Sequence, residues 1–215
     1  MKVGDVTVPF SKRVKDLGVY LDDDFSMNSQ VRNLIRSMYM ELKNISNIRD
    51  LIDVHTASCL VVSLVLSKLD YCNSLLAGTS AENKEKLQKV QNNAARMVLK
   101  KRKFDHASPL LRSLHWLPVE RRLQYKTATL CYKCVHGTAP LYLQDIINVY
   151  IPTRQLRSAI NSTALVVPKM RLKTVGERSF GFCAPKIWNA LPQKMREADS
   201  LGTFKTHLKT YLFNV

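Results

Sequence analysis

The sequence has no long apolar run. Its most apolar stretch, Ala57 to Leu66, is far shorter than the roughly 20 residues that a bilayer-spanning helix needs. The segment from Met1 to Phe10 also lacks the apolar centre of a secretory signal. These absences argue against a membrane protein and a secreted one. We therefore expect an intracellular protein, nuclear or cytoplasmic, whose five cysteines stay reduced.

Acidic residues are scarce. The chain has 17 Asp and Glu against 33 Lys and Arg, which gives a formal net charge of +16 at pH 7. Such a positive field favours a polyanionic partner, either nucleic acid or an acidic membrane surface. Composition leaves an inert basic surface open as the alternative. We expect RNA or DNA as the partner, with no membrane and no small-molecule substrate.

Paired metal ligands are also missing. The run from Cys131 to Cys134, with His136 close by, has the spacing of half a structural zinc site, and such a site needs four ligands. No second pair of cysteines and no pair of histidines occurs at short spacing, and His106 and His115 are isolated. On a helix Cys131 and Cys134 share one face with Ala128 and Leu130, as small core residues do. The sequence predicts no metal site, no cofactor and no Cys–His nucleophile.

One short acidic motif matches a catalytic pattern. The segment from Tyr20 to Asp23 fits the letters Y-x-D-D, which supply metal-binding carboxylates in reverse transcriptases. Two-metal phosphoryl transfer needs several carboxylates around ions roughly 3.5–4 Å apart. The earlier acids, Asp5 and Asp16, have no strand context that would provide another ligand. We interpret the acidic run as a solvated turn and predict no catalytic residue; a polymerase or nuclease that uses Asp22 and Asp23 is the alternative.

Alternating apolar residues at the start of the chain predict a β-hairpin. Val6, Val8 and Phe10 share one face of its first strand, and the second strand is suggested by Val14, Leu17, Val19 and Leu21. After Ser26 the spacing becomes helical, with one apolar face formed by Val31, Leu34, Ile35, Met38, Leu42 and Ile45.

Caps and breakers place the later helices. Asp53 is the predicted N-cap of a helix to Tyr71, which is apolar nearly all round and is expected to be buried; a buried strand is the alternative. A capping box from Thr79 to Glu82 precedes the third helix. Further helices are predicted to begin at Ser108-Pro109, and to run from Pro118 to Gly137, Pro140 to about Val149, Glu177 to Leu191 and Leu201 to Phe213. Between them, 151–175 is loop-like, with a short strand at 165–167.

The predicted fold is therefore mainly α, with an N-terminal β-hairpin, a helical bundle and a small helical C-terminal module. Charge suggests a boundary near Tyr150, because no acidic residue occurs between Asp145 and Glu177. Five cations are spread over the same stretch: Arg154, Arg157, Lys169, Arg171 and Lys173.

Three motifs in the middle of the chain carry a family resemblance. The sequence reads SKLDYCN from Ser67, LQKVQNNAAR from Leu87 and LRSLHWLPV from Leu111, and APKIWNALP follows from Ala184. Their order and spacing resemble the region after the polymerase palm in reverse transcriptases of non-LTR retrotransposons, the LINE elements of the Jockey kind. The resemblance covers nearly the whole chain.

The resemblance implies three parts: 1–25 as the hairpin that ends the palm, 26–150 as a helical thumb-like domain and 151–215 as a basic C-terminal module. In that family the polymerase active site lies upstream of this region. The resemblance therefore implies part of an RNA-directed DNA polymerase without its chemistry, with a template–primer duplex and an upstream reverse transcriptase polypeptide as partners.

A run of cations follows the third predicted helix. Arg96 and the four residues from Lys100 to Lys103 lie at its C-terminal end, where the helix dipole favours one or two positive charges but not five. So dense a cluster repels itself unless an anion neutralises it, as nucleic-acid phosphates would. The predicted nucleic-acid-binding residues are Arg96, Lys100, Lys101, Arg102, Lys103, Arg112, Arg121 and Arg122. The same run is also a weak match to a nuclear localisation signal.

The two tryptophans have both a functional and a structural interpretation. His115 and Trp116 could stack on bases or sugars, but the neighbouring Leu114 and Leu117 favour Trp116 as a packing residue. Trp188 is predicted to join one helical face in the core.

The sequence thus predicts a non-catalytic nucleic-acid-binding protein that grips a backbone through basic helices. Two other hypotheses stay open: a degenerate transposon relic without activity, and a helical module that docks on a separate polymerase.

Overall fold

The computed structural model describes residues 2–7, 9–151, 163–172 and 175–214. Val8, Arg154, Arg157 and Lys173, which entered the sequence predictions, lie outside these ranges. The described chain is mainly helical with a small antiparallel β element at its start, which confirms the predicted fold class. None of its helices combines the length and apolar character that a membrane crossing requires.

Four short strands form two hairpins rather than one. Strands β1 (Lys2–Val3) and β2 (Val6–Thr7) pair antiparallel, and so do β3 (Arg13–Asp16) and β4 (Val19–Asp22). The predicted pairing of the segment around Val6 with the later strand was therefore wrong. The reason is the turn at Leu17 and Gly18, where both residues have positive φ, as tight hairpin turns require, so that the second segment folds back on itself.

The first helical layer is formed by α1 (Asn28–Ile48), α2 (Val54–Val61), a π-helical turn (Val62–Leu66) and α3 (Ser67–Asp70). The predicted N-cap is confirmed, since the Asp53 carboxylate accepts the Thr56 N–H at 2.9 Å. The predicted burial all round is wrong, because Val54, Val62 and Leu64 are exposed. Among the described residues this helix packs on α1 and α4, which cover only part of its surface.

The next helices are α4 (Ala81–Val98), α5 (Ala107–Ser113) and α6 (Val119–Val135). The cap of α4 is Ser80, which accepts the Asn83 N–H, so the capping box was predicted one residue early. Thr79 instead donates to the Ser26 carbonyl. Helix α5 begins before the predicted Ser108-Pro109 start; Pro109 fits its first turn because the N–H groups there have no intrahelical acceptor.

The last part contains α7 (Leu141–Gln144), α8 (Phe180–Asn189), α9 (Gln193–Arg196) and α10 (Leu201–Asn214). Helix α7 is shorter than predicted because the chain leaves it to form an antiparallel bridge between Val149 and Leu165. The predicted start at Glu177 is wrong: a 3-10 turn occupies Gly176–Arg178, and extended Ser179 separates it from α8. Helix α9 was not predicted.

Two apolar clusters hold these elements together. The first contains residues of all five helices from α1 through α5 and of the start of α6, and Trp116 is buried in it. The second joins the rest of α6 to α8 and α10 around Trp188 and Phe204. Both tryptophans are thus core residues, as predicted. The domain boundary between residues 150 and 151 stays a prediction. Helix α6 precedes this boundary and contributes residues to both clusters.

Candidate nucleic-acid interface

The basic segment begins where α4 ends. Lys100 has a left-handed conformation with φ of 50°. Its N–H donates to the Met97 carbonyl at 3.3 Å, and the Lys101 N–H donates to the Arg96 carbonyl at 2.8 Å. These two bonds form a Schellman motif, which satisfies carbonyls that the helix itself leaves without donors. The direction in which the chain leaves α4 is therefore fixed by hydrogen bonds.

A buried arginine closes the same helix end. Arg49 is only 6% exposed, and its Nη2 donates to the Val98 carbonyl at 2.5 Å. Its Nε lies 3.2 Å from the Met97 carbonyl oxygen, and its Nη1 lies 2.8 Å from that of Ile52. A cation at this position is stabilised by the negative end of the helix dipole. Arg49 was not among the residues predicted from the sequence, because its acceptors on α4 lie 48 and 49 residues further along the chain.

We call residues 100–105 the basic loop. It contains a turn in which the Asp105 N–H donates to the Arg102 carbonyl at 3.1 Å, while the Asp105 carboxylate accepts the Arg102 N–H at 2.8 Å. Arg96 Nε donates to the Asp105 carbonyl at 3.0 Å. Asp105 therefore holds the turn closed and ties it to α4, so the loop has a defined shape.

The five predicted cations of this segment do not have equal roles. Arg96 is used to tie the loop to α4, and the Lys100 Nζ lies 2.7 Å from an Asp50 carboxylate oxygen. That contact lowers the pKa of Asp50, but the pair is exposed and contributes little to stability. Lys101, Arg102 and Lys103 are exposed, and no described carboxylate lies within ion-pair distance of them. These three are the cations available to an anionic partner.

The loop also presents an aromatic side chain that was not predicted from the sequence to be part of the site. Phe104 occupies the turn and is 89% exposed. Its position directly after four cations was the sequence signal that could have identified it. Interleaved basic and aromatic residues are typical of single-strand binding surfaces.

Arg112 and Arg121 lie beside a cavity that no residue of the basic loop lines. Both line a small cavity of about 220 Å³ beside Trp116. Arg121 Nη1 donates to Gln124 at 2.9 Å, and Arg121 also borders a larger cleft of about 550 Å³ whose lining includes Arg178 and Lys186. The structure thus provides a second group of cations on the α6 side.

Arg122 has a structural role instead. Its Nη1 lies 2.5 Å from an Asp70 carboxylate oxygen, and its Nε donates to the Leu117 carbonyl at 3.2 Å. The arginine side chain is 15% exposed. It joins α6 to the end of α3, so its guanidinium is already occupied. Lys126 and Lys209 lie near it, around a recess that also contains His115.

Asp22, the first carboxylate of the Y-x-D-D match, caps helix α1. Met27 stands at the N-cap position and has no side-chain acceptor. Asp22 Oδ2 supplies the missing acceptor: it accepts hydrogen bonds from the Ser29 N–H at 3.1 Å and from the Ser26 hydroxyl at 3.2 Å. Burial opposes ionisation of Asp22, but the hydrogen bonds from Ser29 and Ser26 outweigh it and lower its pKa. The prediction of a merely solvated turn is thus wrong for Asp22, whereas Asp23 and Asp24 are exposed.

Replacing Asp22 with Ala is expected to lower the free energy of unfolding by about 1 kcal/mol at pH 7, as the loss of an N-cap does. Because the folded pKa is lowered, this stabilisation is present above the ordinary Asp pKa of 3.8 and disappears as pH falls through the lowered value. Urea unfolding between neutral pH and about pH 3 measures both effects. Asp23→Ala, an exposed neighbour, is the control, and equal losses for the two variants would contradict the assignment.

The cysteine pair lies in the protein interior. Cys131 and Cys134 are buried on α6, and burial raises the pKa of both thiols. This confirms their prediction as core residues. Within the described ranges, no group of three or more His, Cys, Asp or Glu side chains is arranged to hold a metal ion.

Comparison of the chain with protein-family models, curated proteins and solved structures gave no match. Its function therefore has to be inferred from its own residues.

Proposed function

We propose that this chain is a non-catalytic nucleic-acid-binding protein that contacts the phosphate backbone through the basic loop. The observation that carries the proposal is the set of three exposed cations, Lys101, Arg102 and Lys103, on a turn fixed by hydrogen bonds. Arg112 and Arg121, which line a separate cavity on the α6 side, are the proposed further phosphate contacts. A net charge of +16 supplies long-range attraction to the same partner.

Backbone contacts position a protein on nucleic acid but read little sequence. Together with the motif resemblance, this supports a role like that of the region after the palm in LINE-type reverse transcriptases. The proposed ligand is a template–primer duplex of RNA, DNA or both. The proposed protein partner is an upstream reverse transcriptase polypeptide that supplies the chemistry, within the nucleus or cytoplasm.

The test is binding of the purified chain to a labelled RNA–DNA hybrid at a series of salt concentrations. Each phosphate contact contributes about −0.9 to the slope of log K against log salt on B-form DNA, so the three cations of the basic loop are expected to contribute about −3. A cooperatively folded chain that binds no hybrid at low salt would refute the proposal.

A docking module is the second candidate, and exposed apolar side chains favour it. Met40, Ile48, Leu51, Val54 and Val62 are all exposed on α1, α2, the turn between them and the π-helical turn that follows. Co-purification with a reverse transcriptase polypeptide that survives nuclease treatment would support docking over bridging by RNA. The relic hypothesis predicts a broad, non-cooperative melt.

A further inference from the structure

Phe104 is an exposed aromatic residue that lies beside the exposed cations of the basic loop. Single exposed apolar residues are common on protein surfaces, so exposure alone carries no function. Phe104, however, immediately follows the three available cations and lies 89% exposed in the turn from Arg102 to Asp105. The bulky aromatic residues Trp188 and Phe204, by contrast, are fully buried.

The turn fixes the backbone that carries the ring before any ligand arrives. The Asp105 N–H and carboxylate both bond to the backbone of Arg102, and Arg96 bonds to the Asp105 carbonyl. Lys103 Nζ lies 5.8 Å from the centre of the Phe104 ring. A backbone segment that is already ordered loses less conformational entropy when its side chains bind a ligand.

A flat apolar ring beside several cations matches the two chemical parts of an unpaired nucleotide. The base stacks on the ring, and the flanking phosphates meet the lysine and arginine side chains. Within a duplex the base faces are already stacked on their neighbours and are not available to the ring. We propose that Phe104 is a stacking site for an unpaired base, and that the basic loop therefore binds single strands and strand ends better than closed duplex.

This inference rests on the proposed function, and it is tested with Phe104→Ala. Single-stranded RNA and a blunt RNA–DNA hybrid of equal length are the two ligands. The variant is expected to lose on the order of 10-fold in affinity for the single strand and to keep its affinity for the hybrid. Its salt slope stays unchanged, because no charge is removed. Phe10→Ala is the matched control, since Phe10 is 92% exposed and lies outside the basic loop.

A Phe104→Trp variant provides an optical test of stacking. Trp116 and Trp188 are both buried, so the introduced indole is the exposed emitter. A short oligothymidylate is expected to quench its emission. Heparin, a polyanion without bases, is expected to bind without quenching it.

The outcomes separate the two hypotheses. If wild-type protein binds both ligands and Phe104→Ala weakens neither, stacking is refuted while the proposed function stands. If the variant weakens both ligands equally, the ring acts through loop structure and stacking is again refuted. If wild-type protein does not bind the hybrid, the proposed function fails, and if it does not bind the single strand either, the stacking inference fails with it.

Discussion

Replacing Arg49 with Ala is expected to lower the free energy of unfolding by about 3 kcal/mol. The guanidinium is buried and donates to carbonyls of Met97, Val98 and Ile52, so its removal leaves buried acceptors without donors. The end of α4 also loses the cation that its dipole favours. Urea denaturation at pH 7 measures the change.

Two further variants make the Arg49 prediction specific. Arg49→Lys retains the charge but not the planar guanidinium that reaches several carbonyls. Its free energy of unfolding should therefore lie between those of wild type and Arg49→Ala. Arg36→Ala removes an exposed arginine from α1 and should change stability by less than about 0.5 kcal/mol. Equal stability of Arg49→Ala and wild type would mean that Arg49 does not secure the helix end.

The helices that were predicted well from the sequence have a long apolar stripe or clear start and stop residues. Helix α1 has a long apolar stripe, and α6 has Pro118 before it and Gly137 after it. Helix α9 has only four residues, too few to show a helical period. The hairpin was mispaired because alternation marks a strand but does not say which strand is its partner.

The chemistry of the candidate site was visible in the sequence, but the use of each cation was not. The density of positive charge pointed to the segment from Arg96 to Lys103. That Arg122 is occupied by Asp70 depends on a contact across 52 residues, and no local pattern indicates it. The same holds for Asp22, whose role as a cap depends on how β4 lies against the start of α1.

At the end of α4, the contacts that stabilise the helix lie next to the loop that is proposed to bind phosphate. Arg49 holds the last carbonyls of the helix, the Schellman motif sets the direction of the chain, and Asp105 closes the turn that follows. The backbone that carries the cations of the basic loop is therefore held in one conformation by hydrogen bonds. A loosened helix end would have to be ordered again on binding, which costs affinity.

Neutralising the available cations is expected to cause the largest loss of binding. A triple variant, Lys101→Gln, Arg102→Gln and Lys103→Gln, should weaken binding to RNA and to DNA alike by about 100-fold near 0.1 M salt. The slope of log K against log salt should become shallower by up to about 3, because each lost phosphate contact removes one term of counterion release. Lys100 is left unchanged because it is paired with Asp50 and holds the left-handed position.

A second triple variant separates local contact from net charge. Arg32→Gln, Arg36→Gln and Lys43→Gln remove the same charge from exposed positions on α1. If the basic loop contacts phosphate, this control retains most of the affinity and nearly the wild-type salt slope, since it loses only long-range attraction. Equal losses for the two triple variants would show that binding follows overall charge, and the assignment of the basic loop would then be wrong.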